Sequence, residues 1–363
     1  MSRRVAVEQL ARLRAASQRL GRPADIRDPV DVVRLAGPVQ AQEPRAARLA
    51  FRARARGLTA ADVDRARTEE RSLLRAWTMR KTVHLIPSED AGWLVSLFAP
   101  ATVRWSRKRL ADFGLDAGGQ ERAMRVLHEA VDREGALTRP QLAERLESAG
   151  FDTAAEFKVH LWLLATLDGK LCLGPDRGAQ TCLVRTADWI GEPSKLPREQ
   201  ALAELARRYL RGYGPAGVRD FARWAGLPLR DARLGFEWIA AELSTVESAG
   251  GSLCLLGKRL PRPARSPVVR LLGAYDNYNL GYQSRDFAVK PANVKQIVPG
   301  GGIARPTITV DGRFVGTWTS KRSGKKLAVK IEPFAPLEPA VELAIAAEIA
   351  DVGRFEGLSA APA

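Results

Sequence analysis

Two glutamines, Gln40 and Gln42, lie two residues apart in a short segment that is bounded by prolines. Proline disfavours helical geometry in the residue before it, so Gly37 and Glu43 are predicted to be extended. Side chains two apart in an extended chain point the same way. The two amides then place uncharged hydrogen-bond donors and acceptors at one spot. This pair is suited to hold a water molecule or a phosphate; the alternative is two surface glutamines beside a turn.

A second group of polar side chains comprises Arg80, Lys81, Thr82 and His84. His84 is two residues from Thr82, so the two side chains share one face if this run is a strand. We predict that this group contacts a phosphate or a base of DNA. For His84 the alternative is a structural role.

The other two histidines, His128 and His160, lie in helix-patterned runs and are predicted to be structural. The three histidines lack the spacing of a metal site, and no glycine-rich phosphate loop precedes a helix. The sequence therefore predicts neither a metal ion nor a cofactor.

A third group of cations lies in an irregular segment over residues 281–305 and includes Arg285, Lys290 and Lys295. A long loop in a compact domain is usually functional or disordered. We predict that these three residues contact DNA, and a flexible basic hairpin that reaches into a groove is one interpretation of the segment. A solvated surface loop is the alternative that the composition leaves open.

The net charge of +16 predicts an anionic partner, with nucleic acid ahead of a membrane surface. No apolar run is long enough to cross a bilayer, which takes about 18 or more residues. The cysteines, Cys172, Cys182 and Cys254, sit among apolar neighbours and are predicted to be buried thiols in a reducing compartment. The first residues show no export signal, so we predict a cytoplasmic, nucleoid-associated protein.

The elements that must position these residues follow a repeated order of helices and then a hairpin. Helices are predicted over residues 5–20, from Asp28-Pro29 to Gly37, over residues 45–56 and after Thr59. Strand-like runs over residues 72–77 and 82–86 then form a basic-tipped hairpin. This is the outline of a winged helix, in which the hairpin is the wing.

The same order recurs twice. Helices are predicted over residues 120–133, after Thr138 and over residues 154–168, followed by a hairpin over 171–184 that turns at 174–178. Helices over residues 198–211, after Gly214-Pro215 and over 229–243 precede a hairpin over 245–256. The pattern predicts three tandem winged helices. Each of them alone is weak evidence for DNA contact.

The last section changes to antiparallel strands, predicted over residues 268–272, 307–310, 313–319 and 325–331. Asp311-Gly312 is a two-residue hairpin turn signal. A helix over residues 338–352 follows, and the final residues are predicted to be frayed. The predicted fold is α+β, with winged helices over 1–116, 117–190 and 191–262 and a β-rich section over 263–363.

Four sets of runs along the chain are typical of one protein family. They are Asp31-Val32-Val33 with Val39-Gln40-Ala41-Gln42-Glu43-Pro44; Leu74-Arg75-Ala76-Trp77-Thr78-Met79-Arg80-Lys81-Thr82-Val83-His84-Leu85; Leu272-Gly273-Ala274-Tyr275-Asp276 with Gly281-Tyr282 and Arg285-Asp286; and Arg305-Pro306 with Val310-Asp311-Gly312 and Gly316-Thr317-Trp318. Through these runs, and in the same order, the chain resembles the AlkZ-like winged-helix DNA glycosylases over roughly residues 5–350. One departure is Lys81, where family members commonly have glycine.

The resemblance implies a C-shaped monomer of three winged helices with a C-terminal β-rich section. It implies hydrolysis of the N-glycosidic bond of N7-alkylated guanine in double-stranded DNA, including interstrand crosslinks. The family's Gln–apolar–Gln catalytic motif maps onto Gln40, Ala41 and Gln42. A sister group has aspartate at the second polar position, and the glutamine here is typical of the branch linked to self-resistance against alkylating natural products.

Two other hypotheses stay open at this stage. One is a non-enzymatic winged-helix transcription factor, which usually binds a palindromic site as a dimer; the sequence shows no dimerisation helix. The other is an inactive relative that only binds damaged DNA.

Overall fold

The chain forms a mixture of helices and sheets in a computed structural model that describes residues 3–21, 25–152, 155–265 and 267–363. The predicted combination of helix and sheet is confirmed. The α-helices are α1 Val7–Ser17, α2 Pro29–Ala36, α3 Pro44–Arg54, α4 Ala60–Thr68, α5 Ala91–Asp112, α6 Ala117–Glu134, α7 Arg139–Ser148, α8 Ala155–Leu167, α9 Thr186–Ile190, α10 Arg198–Tyr213, α11 Val218–Ala225, α12 Leu229–Trp238, α13 Asn277–Leu280, α14 Val294–Ile297 and α15 Pro339–Glu356.

The strands are distributed among these helices over the described parts of the chain. They are β1 Arg3–Arg4, β2 Val39–Gln40, β3 Leu73–Trp77, β4 Val83–Pro87, β5 Leu137–Thr138, β6 Leu171–Arg177, β7 Gln180–Arg185, β8 Leu243–Ser248, β9 Gly251–Leu256, β10 Val269–Leu272, β11 Thr307–Val310, β12 Arg313–Ser323, β13 Lys326–Pro333 and β14 Ser359–Pro362. Short 3₁₀ turns add Met79–Lys81, Ser88–Asp90, Ala240–Glu242 and Pro291–Asn293.

The chain divides into two compact units. Unit 1 joins Met1–Asp64 to Leu202–Ala363, and unit 2 is Arg65–Ala201. This division into compact units does not test the four predicted segment boundaries, which stay predictions.

Unit 1 is built around a sheet in the order β10-β11-β12-β13-β14. Helix α15 packs against β10 and β14, and α3 packs against β10. A second core region is aromatic, because the ring of Tyr213 stacks on Tyr209 and both rings contact Trp224. The rings of Trp224 and Tyr213 lie next to Gly37, just before the glutamine segment.

Unit 2 contains strands in the order β4-β3-β6-β7-β5, so the two hairpins β3–β4 and β6–β7 lie in one sheet. Helix α8 packs against α5, α6 and β6. The short strand β5 pairs antiparallel with β7, through Leu137 opposite Leu183. This pairing connects the α6–α7 junction to the second hairpin.

Several local predictions are confirmed because they rest on short-range chemistry. The Asp28 side chain accepts from the Val30 N–H at 2.8 Å at the start of α2. Thr138 and Gln141 form a capping box at the start of α7. Asp311 and Gly312 form the β11–β12 turn with φ of 52° and 80°, the positive values that a tight hairpin of this type requires.

Three local predictions need correction or completion. The second hairpin turns at residues 178–179 rather than 174–178, because a register shift between Leu173 and Asp176 lets β6 continue past Pro175. The final residues are not frayed: β14 pairs in parallel with β13 and uses its open edge. Helix α5, of 22 residues, has no counterpart among the predicted elements, and it contains Pro100 in its interior.

The predicted start of a helix at residue 154 lies outside the described residues. Within the described ranges, no helix combines the length and the apolar composition needed to cross a membrane.

Candidate active site and DNA interface

Gln40 and Gln42 lie at the end of β2, directly before α3, and their side chains are joined. The Gln40 Nε2 donates to Gln42 Oε1 at 3.1 Å, so the predicted shared side is confirmed. Gln40 is buried, with 9% of its surface exposed, whereas Gln42 is exposed. Glu43 is extended, as predicted, with φ −106° and ψ 104°. The result is one anchored amide holding a second amide that faces solvent.

Gly37 departs from the predicted ordinary extended geometry. Its φ is 77° and its ψ 177°, a region that is open to glycine and strained for other residues. An added Cβ would lie 2.9 Å from Cζ2 of Trp224. The prediction was wrong: Gly37 directly follows the last residue of α2 with positive φ, and the close approach of Trp224 leaves no room for a side chain there.

The backbone before Gln40 is held by Asn277, the first residue of α13. Its Nδ2 donates to the Ala36 carbonyl at 2.8 Å and lies 3.3 Å and 3.2 Å from the carbonyls of Gly37 and Pro38. Asn277 is 4% exposed. One buried amide thus satisfies consecutive carbonyls at the C-terminus of α2, where helical carbonyls lack partners. Asn277 fixes the direction in which the chain enters β2.

We expect Asn277→Ala to slow base release at saturating DNA and to lower stability by about 1–3 kcal/mol, because buried carbonyls lose their donor. Asn277→Asp keeps the size but removes the donor, so it should be at least as damaging. Asn279→Ala removes another buried amide of α13 that does not touch these carbonyls. It should lower stability without lowering kcat; an equal loss of kcat in both variants would contradict the positioning role.

The residue before Asn277 is part of a buried ion pair. Asp276 accepts from Nη1 and Nη2 of Arg54 at 2.9 Å and 2.8 Å, and Arg54 also donates to Gln18 Oε1 at 2.7 Å. Burial lowers the pKa of Arg54, but attraction and hydrogen bonding to Asp276 outweigh it, so the pKa is raised overall. Asp276 also accepts from the Tyr278 N–H and caps α13. The pair connects α3, which follows the glutamines, to α13, which holds the segment before them.

The predicted DNA contacts Arg80, Lys81 and Thr82 form the tip of the β3–β4 hairpin in unit 2. Arg80 and Lys81 both have positive φ, 53° and 58°. The Thr82 Oγ1 donates to the Met79 carbonyl at 3.1 Å and closes the turn. Since glycine adopts positive φ without strain, this geometry explains why a glycine suits the position of Lys81. Lys81 adopts this positive φ at a cost in backbone free energy.

His84 lies beneath this tip and is fully buried. Its Nδ1 is 3.0 Å from the Thr82 carbonyl, which only accepts, and its Nε2 is 3.3 Å from Arg80 Nη2, which only donates. The ring is therefore neutral, with the proton on Nδ1. Burial, followed by the charge of Arg80, lowers the pKa of His84 well below its usual range. Because of this burial, His84 supports Arg80 from below, and its predicted direct contact with DNA stays a prediction.

The lowered pKa of His84 makes stability depend on pH in one direction. The unfolded chain takes up a proton near the ordinary value of 6.5, while the folded chain does not. The contribution of His84 to the free energy of unfolding is therefore fully present above pH 6.5. It is lost as the pH falls, by at most about 1.4 kcal/mol per pH unit. In His84→Gln we expect a shallower loss between pH 6.5 and 5, measured by urea unfolding. An unchanged slope would contradict a neutral His84.

The cations of the 281–305 segment are placed differently from one another. Arg285 is half-buried and donates from Nε to Asn279 Oδ1 at 2.7 Å; burial, then the charge of Arg223, lowers its pKa. Lys290 and Lys295 are exposed. The segment forms short helical turns, so the flexible hairpin is not what the structure has here. DNA contacts by these three residues stay predictions.

Sequence reasoning missed the two residues that hold the glutamine segment from the far end of the chain. A signal existed, since Asp276 belongs to the run Leu272-Gly273-Ala274-Tyr275-Asp276 and Asn277 follows it. The sequence alone does not show which residues this run contacts.

Comparisons with known proteins agree over most of the chain. The family model described as "DNA glycosylase AlkZ-like" matches residues 33–355. A protein of Streptomyces sahachiroi named "Interstrand DNA cross-link repair glycosylase" is 30% identical over 308 residues, which cover 80% of this chain and 81% of that protein. The solved structure "Streptomyces sahachiroi DNA glycosylase AlkZ" superposes with a TM-score of 0.80 at 26% identity and covers 99% of each chain.

These similarities define the class as an enzyme that hydrolyses the N-glycosyl bond between a base and its deoxyribose, a monofunctional DNA glycosylase. The chain belongs to the AlkZ-like DNA glycosylase family.

Proposed function

We propose that this enzyme releases N7-alkylated purines from double-stranded DNA, with the attacking water positioned by Gln40 and Gln42. The observation that carries the proposal is the hydrogen bond between the two amides, with Gln40 buried and Gln42 exposed. The geometry of an uncharged pair suits a reaction that needs little acid or base help.

The chemistry of the leaving group explains why amides suffice. Alkylation at N7 makes the purine cationic, so the bond to C1′ breaks readily towards an oxocarbenium-like transition state. What remains is to place a water at C1′, and correct placement alone is able to supply a large part of a rate enhancement. An amide carbonyl accepts a hydrogen bond from this water but does not take its proton, so the glutamines act by positioning rather than as general bases.

The two amides divide this task. Gln42 Oε1 has two acceptor sites, one of which receives the Gln40 N–H. The second is free to accept from the water, because Gln42 faces solvent. We assign contact with the water to Gln42 and the holding of Gln42 to Gln40. Phosphate oxygens of the DNA, or the exposed Glu43, take the proton that the amides do not.

The substrate class extends to bulky lesions in this proposal, since the similar Streptomyces sahachiroi protein is named for interstrand cross-link repair. A crosslink obstructs flipping of the base into a tight pocket, so we propose attack in an open cleft. Basic residues of the hairpin tip and the 281–305 segment would hold the phosphates, which gives binding that weakens steeply with salt.

We also propose that the protein is a monomer with a cytoplasmic, nucleoid-associated location. Its fold would consist of three tandem winged helices in a C-shaped arrangement, with the four predicted segment boundaries. The order of helices before each of the hairpins β3–β4, β6–β7 and β8–β9 supports the winged helices.

The test is release of N7-methylguanine from a duplex, followed by mass spectrometry of the free base and by alkali cleavage of the abasic strand. A second duplex carries a crosslink between guanine N7 atoms on opposite strands. We expect release from both by the wild type. Tight binding of both duplexes without release would instead favour a damage-binding protein, and binding of undamaged palindromic DNA alone would favour a regulator.

A further inference from the structure

The second half of α5 carries an exposed aromatic residue that is tied to the hairpin tip. Trp105 has 38% of its surface exposed, and the Nζ of Lys81 lies 4.6 Å from the centre of its ring. On another side the ring meets His160 edge-on, with centroids 4.7 Å apart and an interplanar angle of 66°. His160 is buried and lies 3.3 Å from Ser106 Oγ through its Nδ1. The indole is therefore held in place and in turn holds the ammonium group.

This contact matters because Lys81 has the backbone conformation that suits glycine. A flexible lysine on a strained turn would not keep its charge in one place, but a cation is attracted to the face of an indole. The tip thus has two anchored cations: Arg80 on His84 within the hairpin and Lys81 on Trp105 of α5.

The same helix turn adds two cations that have no acidic partner. Arg107 pairs with Glu121 and Arg109 with Asp112, at 2.7 Å and 3.5 Å. Within the described residues, Arg104 and Lys108 form no ion pair, and both are exposed. They are four residues apart, so they share a face of the helix at about 5–6 Å between Cβ atoms.

We propose that Lys81, Arg104 and Lys108 form one phosphate-binding surface for duplex DNA, with Trp105 as the residue that positions Lys81. We call it the α5 surface. It rests on the proposed function only in taking DNA as the partner. Three cations without carboxylate partners attract a polyanion, and fixing one of them beforehand lowers the entropic cost of its contact. The DNA backbone, rather than a base, is the occupant, because Lys81 already covers a face of the indole.

The experiment measures the affinity of the full-length protein for a short undamaged duplex by fluorescence anisotropy at several salt concentrations. Each lost phosphate contact should reduce the slope of log K against log salt by about 0.9. We therefore expect Arg104→Gln/Lys108→Gln to reduce the slope by about 1.8 and Lys81→Gly by about 0.9. Lys81→Gly should leave the melting temperature close to that of the wild type, because relief of the positive φ offsets the lost contact with Trp105, so a lost phosphate contact is separable from a damaged fold.

The matched control is Arg133→Gln/Arg145→Gln, which changes the net charge equally at exposed or half-exposed helical sites of the same unit. Arg133 lies in the last turn of α6, at the opposite end of that helix from its junction with α5. This variant should keep the wild-type slope. Equal reductions in the control and the Arg104→Gln/Lys108→Gln variant would mean that only net charge matters, which overturns the α5 surface.

The positioning role of Trp105 has its own readout. Trp105→Leu should weaken binding in the wild type but have little further effect in a Lys81→Gly background, while Trp238→Leu, at another exposed tryptophan, should not weaken it. Additive losses from Trp105→Leu and Lys81→Gly would overturn the coupling. Because the duplex is undamaged, binding is measured without base release. A failure of the α5 surface is thus distinguishable from a failure of the glycosylase proposal.

Discussion

Gln42→Ala is expected to lower kcat for release of N7-methylguanine roughly 10²-fold, the size of effect that follows from misplacing a reacting group by about 1 Å. The change removes the exposed acceptor that receives the Gln40 N–H at 3.1 Å, so the water loses its position. Since Gln42 is exposed, the fold and the affinity for damaged duplex should stay unchanged. Single-turnover base release and anisotropy binding measure the two quantities separately.

Gln42→Glu is the informative companion variant. A carboxylate of the same length still accepts from Gln40, so release should be largely restored at neutral pH. It should then fall as the pH drops towards the ordinary glutamate pKa of about 4.3, an acid limb that the glutamine at this position cannot produce. Equal activity of Gln42→Ala and wild type would remove Gln42 from the mechanism.

Asp276→Ala is expected to destabilise the protein by about 3–5 kcal/mol, the range for removing one partner of a buried ion pair. Arg54 is 1% exposed, so its charge would be left without compensation. The change also removes the acceptor of the Tyr278 N–H, next to Asn277. Release of base should slow together with stability, because α13 no longer holds the segment before Gln40. Urea unfolding and single-turnover release measure these two effects.

Asp351→Ala is a matched control in the same unit. Asp351 also pairs with a buried arginine, Arg52, at 3.0 Å, but its own side chain is 36% exposed and Arg52 keeps Glu348 as a second partner. We expect a loss of at most about 1 kcal/mol. If the two aspartate variants unfold at the same urea concentration, the Arg54–Asp276 pair does not have the role assigned to it.

Much of the local structure was predictable because its causes lie within a few residues. Asp28 and Thr138 begin helices through their own side chains. Asp311-Gly312 sets a hairpin through its backbone preference. The alternation of Gln40 and Gln42 also needs only an extended chain, and it placed the two amides side by side correctly.

Predictions from the sequence failed where a contact with a distant part of the chain determines the local structure. A side chain at Gly37 would meet the ring of Trp224, and β14 forms by pairing with the open edge of β13. In each case the deciding partner is tertiary, so a pattern of nearby residues does not reveal it.

The sequence by itself determined the family resemblance, the chemistry of the Gln40–Gln42 pair and the order of the helices and hairpins, since these depend on residue type and short-range spacing. Only the tertiary structure decided which amide is anchored and which faces solvent. It also showed that Asn277 holds the segment from about 240 residues further along the chain and that Trp105 holds Lys81. Hydrogen bonds and cation–π contacts act over a few ångströms, so they exist only once folding has brought these residues together.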